Sequence, residues 1–174
     1  MAMTPAVFGI AGLSLSADEQ AFFRESDPAG YIIFGRNIES KPQLRALTDE
    51  LRAIHGRDDL AILIDQEGGR VDCLPLLDVR QPDADNVIGD RALGSEPMRV
   101  AALGRAILDG LQRGGVVGVV KHLPGHGRTS VDTHKALPTV TASDEDLQLD
   151  LAPFRTLNQA PMGMTGHLLF TAWD

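Results

Sequence analysis

Apolar runs that alternate with capped helices predict an α/β protein built on parallel strands. Two observations carry this reading. Short apolar runs recur between segments of helical spacing, and polar, chemically capable residues follow almost every run: Asp65, Asp78 and the Lys121–His122 pair, with His167 inside the last. In parallel α/β folds functional side chains gather at the C-terminal ends of strands, and these residues are expected there. The alternation suits an open doubly wound sheet or a (β/α) barrel. A full barrel usually takes about 250 residues, against the 174 of this sequence.

The elements follow in order. Ala6–Ile10 is the first predicted strand. Ser16 and Glu19 form a capping box, Ser16 accepting from the backbone and Glu19 reaching back, which opens a helix through Arg24. Tyr31–Phe34 is the second strand, closed by Gly35. Ser40, followed by Pro42 and Gln43, starts a helix whose Leu44, Leu47 and Leu51 share one face. Leu60–Ile64 is continuously apolar, as expected of a strand buried on both faces of a parallel sheet. Cys73–Leu77 is a further apolar run, although Pro75 suits a central strand poorly. Ser95 with Pro97 starts a helix bearing a stripe of Val100, Leu103, Ile107 and Leu111, stopped by Gly114 and Gly115. Val116–Val120 reads as the clearest buried strand. Ser143 caps an acidic helix start before Leu147, Leu149, Leu151 and Phe154, and a last apolar run spans Met162–Phe170.

Composition narrows the function. Hydrophobic residues at 43% and charged residues at 23% mark a globular rather than a disordered chain. Sixteen Lys and Arg against 24 Asp and Glu give a net charge of −8, which opposes general binding to nucleic acid or anionic membrane. The single cysteine, Cys73, cannot form an intramolecular disulfide and fits a reducing compartment. The first basic residue is Arg24, so no signal-peptide pattern is read. No run approaches the roughly 18 apolar residues of a membrane span. The expectation is a cytoplasmic, soluble, single-domain protein.

The densest chemistry lies in Lys121–His134, where three of the five histidines fall within 14 residues directly after an apolar run. Pro124, Gly125 and Gly127 shape this stretch as a loop. A lone histidine is most often just a partly buried polar residue, but loops at this end of a strand are where such folds keep their chemistry. Asp132 stands two residues before His134, a spacing that lets a carboxylate fix an imidazole tautomer and raise its basicity. The same spacing also arises from a local Asx turn. Asp65, after the third strand, is placed to accept two hydroxyls of a polyol such as a sugar. Glu67 and Arg70 read as an ion pair across the Gly68–Gly69 turn. Arg91 is the cation of a third polar island, Ile88–Arg91, able to clamp an acidic or hydroxyl-rich ligand.

Taken together, Ile64–Val71, Ile88–Arg91, Lys121–Gly127 with Asp132-x-His134, and Met164–His167 occur in an order that closely resembles the bacterial β-N-acetylhexosaminidases of glycoside hydrolase family 3. Phe34–Asn37 also fits, and the resemblance covers nearly the whole chain. It implies a (β/α)₈ TIM-type barrel, incomplete over these 174 residues. It further implies removal of terminal N-acetylglucosamine from muropeptides bearing 1,6-anhydro-N-acetylmuramic acid, in cytoplasmic peptidoglycan recycling. By the resemblance, Asp65, Arg91, Lys121 and His122 bind the sugar, His134 is the acid/base and Asp132 orients it. The implied mechanism is retaining, through a covalent glycosyl-enzyme. It needs no cofactor and no metal. The expected partner is the small-molecule sugar or muropeptide alone, with no nucleic acid, no membrane and a monomeric state.

The sequence departs from the family pattern twice. After Val71 the family continues with a further sugar-contacting arginine and a helical segment, whereas Asp72–Pro75 follows here at once, as though several tens of residues were skipped. The family's Ser-Asp-Asp segment, whose Asp is the nucleophile, has no counterpart up to Asp174, and the expectation places it beyond that residue. The chain is therefore expected to represent pieces of a longer protein. Two alternatives stay open. One is a metal-dependent barrel hydrolase using His122, His126, Asp132 and His134; the other is a catalytically dead sugar-binding fragment.

Overall fold

The computed structural model describes residues 3–57, 59–65, 92–129, 131–133 and 135–173. The chain divides into two units, Met1–Gln66 and Glu67–Asp174. The predicted strand Cys73–Leu77, Asp78, the Glu67–Arg70 pair and the Ile88–Arg91 island lie outside the described residues.

In the first unit, β1 (Thr4–Gly9), β2 (Pro28–Ile33) and β3 (Ala61–Ile64) form a parallel sheet in that order. The helices α1 (Ala17–Ser26) and α2 (Lys41–His55) are the crossovers. The capping box is present: Ser16 Oγ accepts from Glu19 N at 3.1 Å, and Glu19 Oε2 accepts from Ser16 N at 2.9 Å. Glu19 Oε1 also accepts from Ala11 N at 2.9 Å, tying the loop after β1 to the start of α1. Partial burial pushes the Glu19 carboxyl upward, but these hydrogen bonds outweigh it and hold the group below its ordinary value. Ser40 caps α2 by accepting from Gln43 N, and Gly56 ends it in the left-handed region at φ 59°. Leu47 and Leu51 then pack with Ile10, Phe23, Tyr31 and Ile33 in one core.

Only the middle strand of this sheet is buried along its length. Leu60 is buried as expected, but Ala61 and Ile64 of β3 are exposed, so the expectation of burial on both faces fails for β3. The physical reason is position: among the described residues β3 pairs with β2 alone. Gly30 on β2 faces Ala61, and a Cβ there would lie 2.5 Å from the Ala61 carbonyl oxygen. Glycine thus permits the close approach of these two strands.

A polar cluster links β2 to both helix ends. His55 at the end of α2 approaches Asp27 Oδ1 through Nδ1 at 3.2 Å and the Tyr31 hydroxyl through Nε2 at 2.7 Å. Arg57 Nη2 lies 3.4 Å from the same Asp27 oxygen and donates to Pro28 O at 2.9 Å. Burial lifts the Tyr31 phenol to about 12. Burial, then the Arg57 charge, lowers the His55 pKa below 6.5, with Asp27 opposing the shift. The unfolded chain therefore takes up a proton near pH 6.5 that the folded His55 refuses. The stability this group contributes is complete above pH 6.5 and is lost as pH falls through the depressed folded value. The urea midpoint of the wild type is expected to fall between pH 7.5 and 5.5 more steeply than that of His55→Gln. Equal slopes would remove His55 from the account.

The second unit contains α3 (Pro97–Arg113), β4 (Val119–Leu123), β5 (Thr139–Val140), α4 (Asp144–Thr156), β6 (Met162–Thr165) and β7 (Leu169–Phe170). β4 pairs in parallel with β6, and β5 in parallel with β7. Every strand pairing among the described residues is parallel, in agreement with the α/β expectation, and these pairings form three sheets. The last apolar run is two strands in different sheets, broken at Gly166–Leu168. Val100, Leu108, Val120, Phe154 and Leu157 make one core, and Val140, Leu147 and Phe170 another.

Three expectations are corrected here. Glu96, not Ser95, caps α3, its carboxylate accepting from Met98 N at 3.0 Å and Arg99 N at 2.6 Å. The inner face of α3 is Val100, Ala101, Gly104 and Leu108, while Leu103 is 39% exposed. The helical period is legible, but the buried face includes the small residues Ala101 and Gly104, which a hydrophobicity pattern alone undervalues. Finally, β4 begins three residues later than the apolar run. Val116 and Val117 are 46% and 58% exposed, because Gly114 and Gly115 turn the chain and Val116 N donates back to Leu111 O at 2.9 Å. Lys121 and His122 consequently lie inside the strand.

Candidate functional site

β4 carries the site residues because of that shift. Its partners across the ladder are Met162 for Val119, Gly163 for Val120, Met164 for Lys121 and Thr165 for Leu123. A Cβ at Gly163 would fall 2.8 Å from Leu123 Cδ1, so β6 is drawn tightly against β4. Gly166 N then donates to Leu123 O at 2.7 Å, which holds the Gly166–His167 turn beside the end of β4. His167 itself is exposed. The peptide bonds Lys121–His122 and Leu123–Pro124 are both cis.

Lys121 is 3% exposed, a buried ammonium at the centre of β4 between Val120 and His122. Such a charge costs several kcal/mol unless it meets polar or charged groups, so its presence argues for a specific electrostatic duty. His122 is half-buried, and its ring lies 5.4 Å from that of His126, centroid to centroid. His126 is buried and its Nε2 lies 3.4 Å from Thr133 Oγ1, so the loop is bridged across its own base. Thr129, also buried, receives Val131 N and donates to Val131 O through its hydroxyl, each at 3.1 Å.

Asp132 opens the turn that follows. Its carbonyl accepts from Lys135 N at 2.9 Å and Ala136 N at 3.2 Å, and its carboxylate stands 3.9 Å from the Lys135 ammonium. With Lys135 82% exposed, that ion pair is worth little. His134 and Arg91 lie outside the described residues. The second unit thus brings together Lys121, His122, His126 and the Asp132 turn in one strand-and-loop segment. Among the described residues no three His, Cys, Asp or Glu side chains converge in a metal-binding geometry.

Asp65 belongs to the first unit. It directly follows β3, and its N–H donates to Ile33 O at 2.9 Å, extending the ladder by one residue. That is the strand-end position expected for it. At the same end of the sheet, Asn37 and Arg36 both donate to Ile10 O at 3.0 Å, and the Arg36 guanidinium lies 4.6 Å over the Phe34 ring. A separate hollow of about 350 Å³, lined by Val120, Leu123, Phe154, Leu157 and Met162 among others, is apolar and holds none of the predicted site residues.

The sequence reading passed over Asp150 and the role of Arg128. Arg128 reaches from the loop to Asp150 on α4, with Nε to Oδ2 at 2.5 Å and Nη2 to Oδ1 at 3.3 Å. A signal was present. Asp150 lies three residues after Leu147 and four before Phe154, on the buried face of an amphipathic helix, where an unpaired charge is not tolerated.

Comparison with known proteins gives the wider context. The glycosyl hydrolase family 3 N-terminal domain matches residues 71–174. A beta-hexosaminidase of Alkalilimnicola ehrlichii is 31% identical over 226 aligned positions, which take in 100% of this chain and 64% of that protein. The 226 positions exceed the 174 residues of this chain, so the relative holds stretches without a counterpart here. The beta-hexosaminidase LpqI of Mycobacterium tuberculosis is 47% identical over 103 residues, 58% of this chain and 26% of that one. The crystal structure of NagZ from Neisseria gonorrhoeae in complex with N-trifluoroacetyl-D-glucosamine superposes with a TM-score of 0.87 at 27% identity, covering 98% of this chain and 65% of that one. This chain therefore spans about 64% of the length of the curated relatives it matches across its whole extent. With the family model matched over more than half of its residues, the chain belongs to glycosyl hydrolase family 3, whose N-terminal domain is of the TIM-barrel type.

Proposed function

We propose that this chain is part of a retaining β-N-acetylglucosaminidase with a complete (β/α)₈ barrel. In this reading it releases terminal N-acetylglucosamine from muropeptides ending in 1,6-anhydro-N-acetylmuramic acid, as a cytoplasmic monomer in cell-wall recycling. The observation that carries it is the Lys121–Gly127 segment, followed by the Asp132 turn, within the part of the chain that matches the family. The names of the hexosaminidase relatives, and the N-acylated glucosamine bound by the similar NagZ, support it further.

In the proposed reaction Asp65, Arg91, Lys121 and His122 hold the hydroxyls and N-acetyl group of the sugar. His134 gives its proton to the departing glycosidic oxygen, and Asp132 orients the imidazole and stabilises its charged form. His134 then accepts a proton from the water that releases the covalent sugar. The attacking carboxylate has no match among the 174 residues, so the test requires the full-length protein. That protein is expected to hydrolyse 4-nitrophenyl N-acetyl-β-D-glucosaminide and to release the sugar first as its β-anomer, read by proton NMR. The α-anomer as first product would overturn the retaining mechanism. No turnover of the aryl glycoside or of a muropeptide would overturn the function.

A further inference from the structure

We propose that Arg128, gripped by Asp150 on α4, is a positioning residue that sets the loop after β4 in the place from which its acid/base pair acts; this rests on the glycosidase reading above. The grip is two-pronged. Arg128 Nε meets Asp150 Oδ2 at 2.5 Å and Nη2 meets Oδ1 at 3.3 Å, while Nη2 also donates to Asp146 O at 3.2 Å. The Asp150 side chain is 7% exposed and that of Arg128 20%. Such bidentate pairs define orientation as well as proximity.

The same aspartate receives the loop a second time. Gly125 has φ +147°, and a Cβ on it would stand 3.1 Å from Asp150 Cβ, so the loop backbone itself rests on α4 at this point. Between these two contacts and the Asp132 turn, the loop is closed by His126 on Thr133 and by the Thr129 hydroxyl on Val131. The described residues of this loop, 125–129 and 131–133, are thus braced by one another, and their described attachment to α4 runs through Asp150 and Asp146. A buried ion pair is a poor device for stability, since apolar replacements are often neutral or better. Its directional geometry suits a different task, holding a catalytic loop in register. Displacements of about 1 Å in a catalytic group cost on the order of 100-fold in rate.

The test uses the full-length protein and the variants Arg128→Lys, Arg128→Met and Asp150→Asn, assayed on phenyl and 4-nitrophenyl N-acetyl-β-D-glucosaminides. For Arg128→Met, kcat on the phenyl glycoside is expected to fall about 10- to 100-fold. The loss on the nitrophenyl glycoside should be smaller, because its leaving group needs less proton donation, and KM should stay within about twofold. Arg128→Lys, which keeps the charge but not the fork, is expected to recover only part of the loss. A lowered melting temperature with unchanged kcat would reduce the pair to a structural brace and overturn the proposal. A rise in KM with kcat preserved would overturn it as well, by making Arg128 a substrate contact. If the wild type turned over neither glycoside, the function itself would fail and the catalytic part of this proposal with it. Amide exchange across 125–133 would still read the anchor: faster exchange in Arg128→Met supports it, and unchanged exchange overturns it.

Discussion

Replacing His134 with alanine in the full-length protein is expected to lower kcat on phenyl N-acetyl-β-D-glucosaminide by about 10²- to 10⁴-fold, the usual worth of a general acid. The argument is one of leaving-group chemistry. A phenolate is a poor leaving group unless protonated as it departs, whereas a dinitrophenolate leaves nearly unaided. Across a series of aryl glycosides, the variant is therefore expected to show a much steeper dependence of rate on leaving-group pKa than the wild type. Asp132, two residues away, begins a turn whose backbone hydrogen bonds are in place, so Asp132→Asn is expected to act in the same direction with a smaller loss. A uniform loss across the series would assign His134 to binding, and no loss would remove it from the reaction.

Replacing Asn37 with alanine is expected to cost about 2 kcal/mol or more of stability, from two partly buried backbone groups that lose their partner at roughly 1–3 kcal/mol each. Asn37 is fully buried. Its Nδ2 donates to Ile10 O at 3.0 Å and Gly12 O at 2.7 Å, and its Oδ1 accepts from Phe34 N at 2.9 Å. One side chain therefore satisfies the backbone leaving β1 and the backbone leaving β2, at the end of the sheet where Asp65 follows β3. Alanine leaves Gly12 O and Phe34 N without this partner, while Ile10 O keeps its bond from Arg36 Nε at 3.0 Å. The substitution Asn37→Asp would retain the acceptor but set a carboxylate oxygen against two carbonyls, so it is expected to be no better tolerated. The check is chemical denaturation of both variants; a loss below about 1 kcal/mol would mean that water replaces the amide at little cost.

The parts of this protein legible in sequence are those whose partners lie within a few residues. The Ser16–Glu19 box, the Ser40 and Ser143 caps and the Gly114 stop are all in place, because each is satisfied inside its own helical turn. Asp65 stands directly after β3 for the same local reason. The family, too, was legible, since motif order survives in a linear chain.

What the sequence by itself determined is thus the α/β class, the four described helices with the strands β1 to β4, and the chemistry of the Lys121–His134 stretch, whereas β5 and the division of the last run into β6 and β7 were not legible. The tertiary structure decided where that chemistry stands. Pairing with β6 placed Lys121 and His122 within β4, and the buried face of α3 took in Ala101 and Gly104 in place of Leu103. Among the described residues β3 pairs with β2 alone, which left its ends exposed, and α4 supplied Asp150 to a loop more than twenty residues earlier. Each of these outcomes depends on atoms brought together from distant parts of the chain, where packing and desolvation rather than local preference set the free energy.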